Sequence, residues 1–354
     1  MEQKQKKFIR NFIIQVVVLL LGIGAVVVVI DPFFHYHEPV GSLKAIVTKA
    51  EYQCIGTVHN FEYDGIVLGS SVAENYNNRW FDEAFGGTTI KGIKSSAATV
   101  DLVYYLEEAL ASNEVKNVYY SMDIFALTEV AKKELPVASL PLFLYNENPF
   151  DDVQYIWNKD VLLNYILRPL VDTKDKSDWN MIYKPWWQDE HYQKALVLMF
   201  YEPAPESDVY VEPDTYTNAI EANLNTNIIP YIEEHPETTF HIFYPPYSIL
   251  YWYDVVRGQE LDAVIEKYRY MTTRLLEYDN VEIYFFQNQE DIICNLNNYA
   301  DYTHYHGSIC NYMVQCFANG KRRVTEDTLE KELSVLRELT ENYDYEAIWD
   351  DWYN

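Results

Sequence analysis

The chain has 354 residues and a formal net charge of −27, with 49% hydrophobic and 16% aromatic residues. It is long enough for one large domain, or a domain with an insertion, and too aromatic to be disordered. The acidic balance repels phosphate backbones and argues against nucleic acid as a partner, while 12 glycines and no internal period argue against a repeat array.

Lys4, Lys6, Lys7 and Arg10 precede the apolar run FIIQVVVLLLGIGAVVVVI at 12–30, interrupted only by Gln15. Nineteen residues of helix span about 28 Å, close to the hydrocarbon thickness of a bilayer. No basic residue follows the run closely. The positive-inside rule therefore expects a cytoplasmic tail at 1–11, a transmembrane anchor at 12–30 and an extracytoplasmic remainder, a single-pass protein of the cell membrane. A cleaved signal peptide is the alternative. It has a shorter apolar core and a small-residue exit, whereas this run leaves through VVVVIDPFF. The first ten residues carry a net +3, so the remainder stands at −30.

Residues 31–60 show no strong period and read as a connector. Short apolar runs follow: GIVLGS (65–70), TTIKG (88–92), KNVYYSM (116–122), TFHIFYPP (239–246) and VEIYFF (281–286). Their β-branched and aromatic character suits strands buried on both faces. Between them, residues 99–112 place Leu102, Leu106, Ala109 and Leu110 on one helical face, and residues 259–277 do the same with Leu261, Val264, Ile265, Tyr268, Met271 and Leu275. This alternation predicts an α/β domain over 61–320, a parallel sheet with helices on both faces and sites at the carboxyl ends of its strands.

Residues 130–215 interrupt the alternation and read as an aromatic insertion. Its Trp and Tyr side chains build a small core of their own, stack on sugar rings, or meet the bilayer or a membrane partner. At 321–354, Thr325 is a candidate N-cap before Leu329, Leu333, Leu336 and Leu339, and an acidic tail ends the chain. Cys54, Cys294, Cys310 and Cys316 allow three complete disulfide pairings or four buried thiols, and their spacing suggests no structural zinc.

Two stretches carry chemistry. DGIVLGSSVAENY (64–76) is a strand ending in Gly-Ser-Ser before a helix, so a serine hydroxyl stands clear beside main-chain N–H groups suited to an oxyanion. NNYADYTHYHG (297–307) holds Asp301, His304 and His306 after the last apolar run. A serine nucleophile needs a base, and the base an orienting acceptor. Ser71, His304 and Asp301 supply those roles. His304 and His306 are two apart and with Asp301 form a candidate metal set, the minor reading, with His306 otherwise a loop histidine. No cofactor or resident metal is expected.

The early Gly-x-Ser and late Asp-x-x-His resemble the SGNH (GDSL-type) hydrolase superfamily. The resemblance implies a three-layer, flavodoxin-like fold, Ser71 as nucleophile, and Asp301 with His304 as its partners. Ser70 occupies the place usually held by Asp. The anchor, the aromatic insertion, YSMDIFAL (120–127) and FYPPYS (243–248) are similar to the membrane-anchored branch associated with teichoic-acid D-alanylation and alginate O-acetylation. That branch implies an esterase or O-acyltransferase acting on a cell-surface polymer or acyl-carrying substrate. A membrane-bound O-acyltransferase is then a candidate partner.

In the family's second block a glycine N–H serves the oxyanion. Here the stretch is GIKSSAAT, with Ser95 or Ser96 offering the N–H. The third block's asparagine is replaced by Asp123, which accepts rather than donates when ionised. Tyr247 and Ser248 are further lining candidates. Asp123 keeps a second reading open, that of a catalytically silent binding or assembly protein partnering a membrane-bound O-acyltransferase.

Overall fold

The computed structural model describes residues 2–41, 49–125, 127, 140–146, 148–168 and 191–350. The chain divides into two compact units: Met1–Phe61 with Ala138–Ile182, and Glu62–Val137 with Tyr183–Asn354.

In the first unit, helix α1 (Glu2–Ile30) has 29 residues and is long and apolar enough to cross a membrane. At about 43 Å it outruns the apolar stretch because the basic residues before it are also helical. It stops at Asp31-Pro32. Asp31 takes φ +43°, and its carboxylate accepts the N–H groups of His35, Tyr36 and His37 at 3.0, 2.7 and 3.0 Å and the Tyr155 hydroxyl at 2.6 Å. The 31–60 segment contains helix α2 (Ala50–Asn60), which sequence periodicity did not reveal. Seven of its residues are buried, from Ala50 to Val58, so it has no apolar stripe to read.

Short helical segments at Val153–Ile156 and Val161–Leu167 pack along α1. A Cβ on Gly24 would stand 3.1 Å from Ile156 Cγ2, so glycine admits the close approach. Trp157 Nε1 donates to the Leu20 carbonyl at 2.9 Å. The stretch read as one insertion is thus divided: residues 148–168 belong with α1 and α2, and residues 191–215 with the sheet. Residues 128–139 and 169–190, with most of the Trp-rich WNMIYKPWWQDEHY stretch, lie outside the described residues.

The second unit is built on a six-stranded sheet of order β2-β1-β3-β4-β5-β6. The strands are β1 (Gly65–Gly69), β2 (Thr89–Ile93), β3 (Asn117–Ser121), β4 (Thr239–Tyr244), β5 (Val281–Phe285) and β6 (Arg323–Val324). The first five are parallel and β6 closes one edge antiparallel. β1 and β2 are buried throughout, as strands covered on both faces must be.

Helices α3 (Asn78–Phe85) and Gly307–Asn319 pack as one group. Helix α4 (Thr99–Ser112), Thr217–Asn227, Leu261–Leu275 and Glu326–Asn342 form the other. The molecule is therefore α/β, as expected. The chain reverses its order of strand addition between β1 and β3, and in sheets of this order ligands bind at that switch point, outside the carboxyl ends of the strands. No disulfide joins the four cysteines; Cys54, Cys310 and Cys316 are buried and Cys294 partly so.

Candidate active site

β1 delivers Gly69-Ser70-Ser71 to the switch point. A Cβ on Gly69 would lie 2.6 Å from Ala73 Cβ and 2.8 Å from Ser121 Cβ, so only glycine lets β1 run this close to β3 before turning. Ser71 opens a short 3-10 turn, Ser71–Ala73. Its Oγ lies 2.8 Å from His304 Nε2, 233 residues away in sequence.

The base comes from the loop after β5. Tyr299 and Tyr305 pair antiparallel, and Ala300 N–H donates to the His304 carbonyl at 2.9 Å, so residues 299–305 form a closed turn. Inside it, Asp301 Oδ1 accepts the N–H groups of Thr303 and His304, both at 2.8 Å, and Oδ2 lies 2.7 Å from His304 Nδ1. Nδ1–H donating to Asp301 leaves Nε2 as acceptor for the Ser71 hydroxyl. Burial pushes the Asp301 carboxyl up, but the hydrogen bonds and charge of His304, with the Thr303 N–H, outweigh it and hold the net value below the usual carboxylate range. The turn is tied down by the loop after β4: Ser248 donates to the Tyr302 carbonyl through N–H at 3.1 Å and Oγ at 2.7 Å, and the Tyr299 hydroxyl donates to Pro246 O at 2.7 Å.

A cavity of about 470 Å³ opens beside Ser71. Ser96, Asp123, Phe125, Tyr247 and Tyr302 help line it. Ser96 has φ +55°, the left-handed backbone that favours glycine, so it is the residue of GIKSSAAT that adopts a glycine-like conformation. Ser95 is exposed and does not line the cavity. Among the described residues, neither the Ser71 nor the Ser96 main-chain N–H donates to an acceptor of the chain.

The Ser96 loop is anchored at both ends. Lys94 N–H donates to Gly69 O at 3.2 Å, and the buried Lys94 Nζ pairs at 3.2 Å with Asp101, which also accepts Ala98 N–H at 2.9 Å.

Asp123 follows β3 and accepts the hydroxyls of Ser70 and Tyr247, one on each oxygen. Ser248 is fully buried and supports Tyr302 from behind the wall, so it is a structural neighbour of the cavity and not part of its lining. His306 is the N-cap of Gly307–Asn319: its Nδ1 accepts Ser308 N–H at 3.1 Å, and its ring meets Tyr192 edge-on at 4.7 Å. Among the described residues no group of three or more His, Cys, Asp or Glu side chains is placed to hold a metal ion.

Sequence reasoning had not singled out Phe125, Tyr302 and Thr303. Tyr302 and Thr303 sit inside the Asp-x-x-His motif, and Phe125 lies two residues after Asp123. Position beside a motif was their only signal. Compared with known proteins, the chain matches no family model, no curated protein and no solved structure.

Proposed function

We propose that the protein is a membrane-anchored, extracytoplasmic serine enzyme that forms and releases an acyl ester. The observation that carries this reading is the continuous hydrogen-bonded line from Ser71 Oγ through His304 to Asp301, at 2.8 and 2.7 Å, facing a cavity. It is the arrangement the resemblance to SGNH hydrolases implies. A chance polar loop would not align three side chains from two ends of the chain in donor-acceptor order.

Ser71 Oγ attacks the ester carbonyl carbon as its proton passes to His304 Nε2. The carbonyl π pair moves onto oxygen, where the N–H groups of Ser71 and Ser96 receive it. Collapse breaks the bond to the leaving alcohol, which takes the proton from His304, and acyl-Ser71 remains. An incoming hydroxyl repeats the sequence in reverse: its oxygen bonds to the acyl carbon, its proton goes to His304 and then to Ser71. Water as acceptor makes an esterase, and a sugar or polyol hydroxyl an O-acyltransferase. The anchor favours transfer to a cell-surface polymer, because it holds the site where membrane-borne acyl groups emerge, beside a candidate membrane-bound O-acyltransferase partner.

Asp123 supports a second reading, a silent binding or assembly protein, because an ionised carboxylate in the cavity wall opposes an oxyanion. The two readings separate in one experiment. A fluorophosphonate probe should label the full-length protein, and Ser71→Ala and His304→Ala should abolish labelling. If the wild type stays unlabelled and both variants retain the cellular phenotype, the enzyme reading fails.

A further inference from the structure

Asp123 is the carboxyl group among the described lining residues of the cavity, and the steps above leave it unused. The residue is 8% exposed, and its two carboxyl oxygens are hydrogen-bonded one to Ser70 Oγ and the other to the Tyr247 hydroxyl. Ser70 and Tyr247 are themselves buried, at 7% and 1%. No Lys or Arg among the described residues forms an ion pair with Asp123. The titratable groups around it are Tyr120 on β3, Tyr247 after β4, Tyr268 on Leu261–Leu275, and His304 and Tyr305 in the loop after β5. Four of these five are phenols. A carboxylate enclosed this way, without a cation, is costly, and the usual relief is to take up a proton. Burial pushes the Asp123 carboxyl up, and the hydroxyls of Ser70 and Tyr247, with the nearby His304, undo only part of that rise.

Resting on the acyl-serine reading, we propose that Ser70 is a third oxyanion donor, its hydroxyl turned into the cavity because Asp123, as a neutral carboxylic acid, donates to Ser70 Oγ from behind. The heavy-atom contacts serve this arrangement unchanged. Tyr247 donates to the carbonyl oxygen of the acid, the acid O–H donates to Ser70 Oγ, and the Ser70 O–H is released toward the cavity that Ser70 already lines. No covalent bond changes; only hydroxyl directions do. Ser70 touches the developing oxyanion and is catalytic, whereas Asp123 acts through it and is a positioning residue.

The sign of the pH effect follows. When Asp123 ionises it can no longer donate, the Ser70 O–H turns back to it, and a negative charge stands beside the oxyanion. The acylation rate must therefore fall on the alkaline side as Asp123 loses its proton. Replacing Asp123 by Asn puts a neutral amide donor at the same place at every pH.

The test is the second-order rate of fluorophosphonate inactivation of the full-length protein in detergent, from neutral to alkaline pH, with Ser71→Ala as the blank. Ser70→Ala should react about 10²–10³-fold more slowly, and Ser70→Thr, which keeps the hydroxyl, should recover most of the rate. Asp123→Asn should stay within about tenfold of wild type and lack its alkaline decline. Thermal unfolding of each variant separates misfolding from lost chemistry. Wild-type rates in a folded Ser70→Ala, or an alkaline decline retained in Asp123→Asn, overturn the inference while leaving the acyl-serine reading intact. A wild-type protein that never labels overturns both.

Discussion

At position 301, burial and hydrogen bonding pull the carboxyl in opposite directions, and hydrogen bonding wins. A folded-state pKa below the unfolded value contributes stability that is present above the unfolded pKa, about 3.9 for Asp. That contribution is lost as pH falls through the folded value. Asp301→Asn removes the group, so its unfolding profile should lack this part of the acid-side loss that wild type shows below about pH 4. Its chemistry should suffer far more than its stability. An amide at this position can donate to His304 Nδ1, which selects the tautomer whose Nε2 carries the proton and cannot accept from Ser71. By analogy with the same exchange in serine proteases, the labelling rate should drop about 10⁴-fold. A rate near wild type would show that His304 is oriented without the carboxylate. These residues were legible because their chemistry demands rare, short spacings. Ser248 is harder to place for the opposite reason: a hydroxyl that braces a loop, as its contact to Tyr302 O does, and one that faces a cavity look alike in sequence.

At the scale of elements, legibility followed burial pattern. The runs 65–70, 116–122, 239–246 and 281–286 coincide closely with β1, β3, β4 and β5, because a covered parallel strand is apolar throughout and bounded by turn residues. The 99–112 helix and the Thr325 N-cap also stand where the 3.6-residue period and capping chemistry put them. β6 escaped because two residues, Arg323 and Val324, carry no period. The 148–168 segment was legible only as aromatic and partly helical; its place along α1 was not. Its side chains now make a prediction. Phe150 is 85% exposed, and Val153, Trp157, Leu163 and Leu167 are each about half exposed beside a helix of membrane-spanning length. So much open apolar surface is unusual in water and ordinary at a bilayer, where Trp sits at the headgroup boundary. With the full-length protein in liposomes, spin labels at Phe150→Cys, Leu163→Cys and Leu167→Cys should be relaxed more by oxygen than by a water-soluble reagent. A label at the exposed Glu277 should behave the reverse way. Labels on 150–167 that match Glu277 would place this segment in water.

Over the whole molecule, charge is the property with a long reach. The ten N-terminal residues carry a net +3 and the remainder −30, so the field outside the apolar helix is set by the acidic remainder. Among the described residues no lysine or arginine lines the cavity, and the carboxyls of Asp123 and Asp301 lie at or near it, so none of them reverses the global sign. An anionic substrate must approach against this field, and a neutral or cationic one need not. The field reaches about 30 Å at 0.01 M salt and about 8 Å at 0.15 M. Two esters with the same acyl group and similar alcohols, one neutral and one anionic, should therefore respond differently to salt. The ratio of kcat/KM for the anionic ester to that for the neutral one should rise about tenfold over this range, a modest share of what electrostatic steering can supply. Using a ratio removes salt effects on the fold and on the triad, which both substrates share. A flat ratio would mean that the acidic field does not reach Ser71, and a falling one that a cationic path leads to it. The acceptor would then be sought among anionic polymers instead of neutral ones.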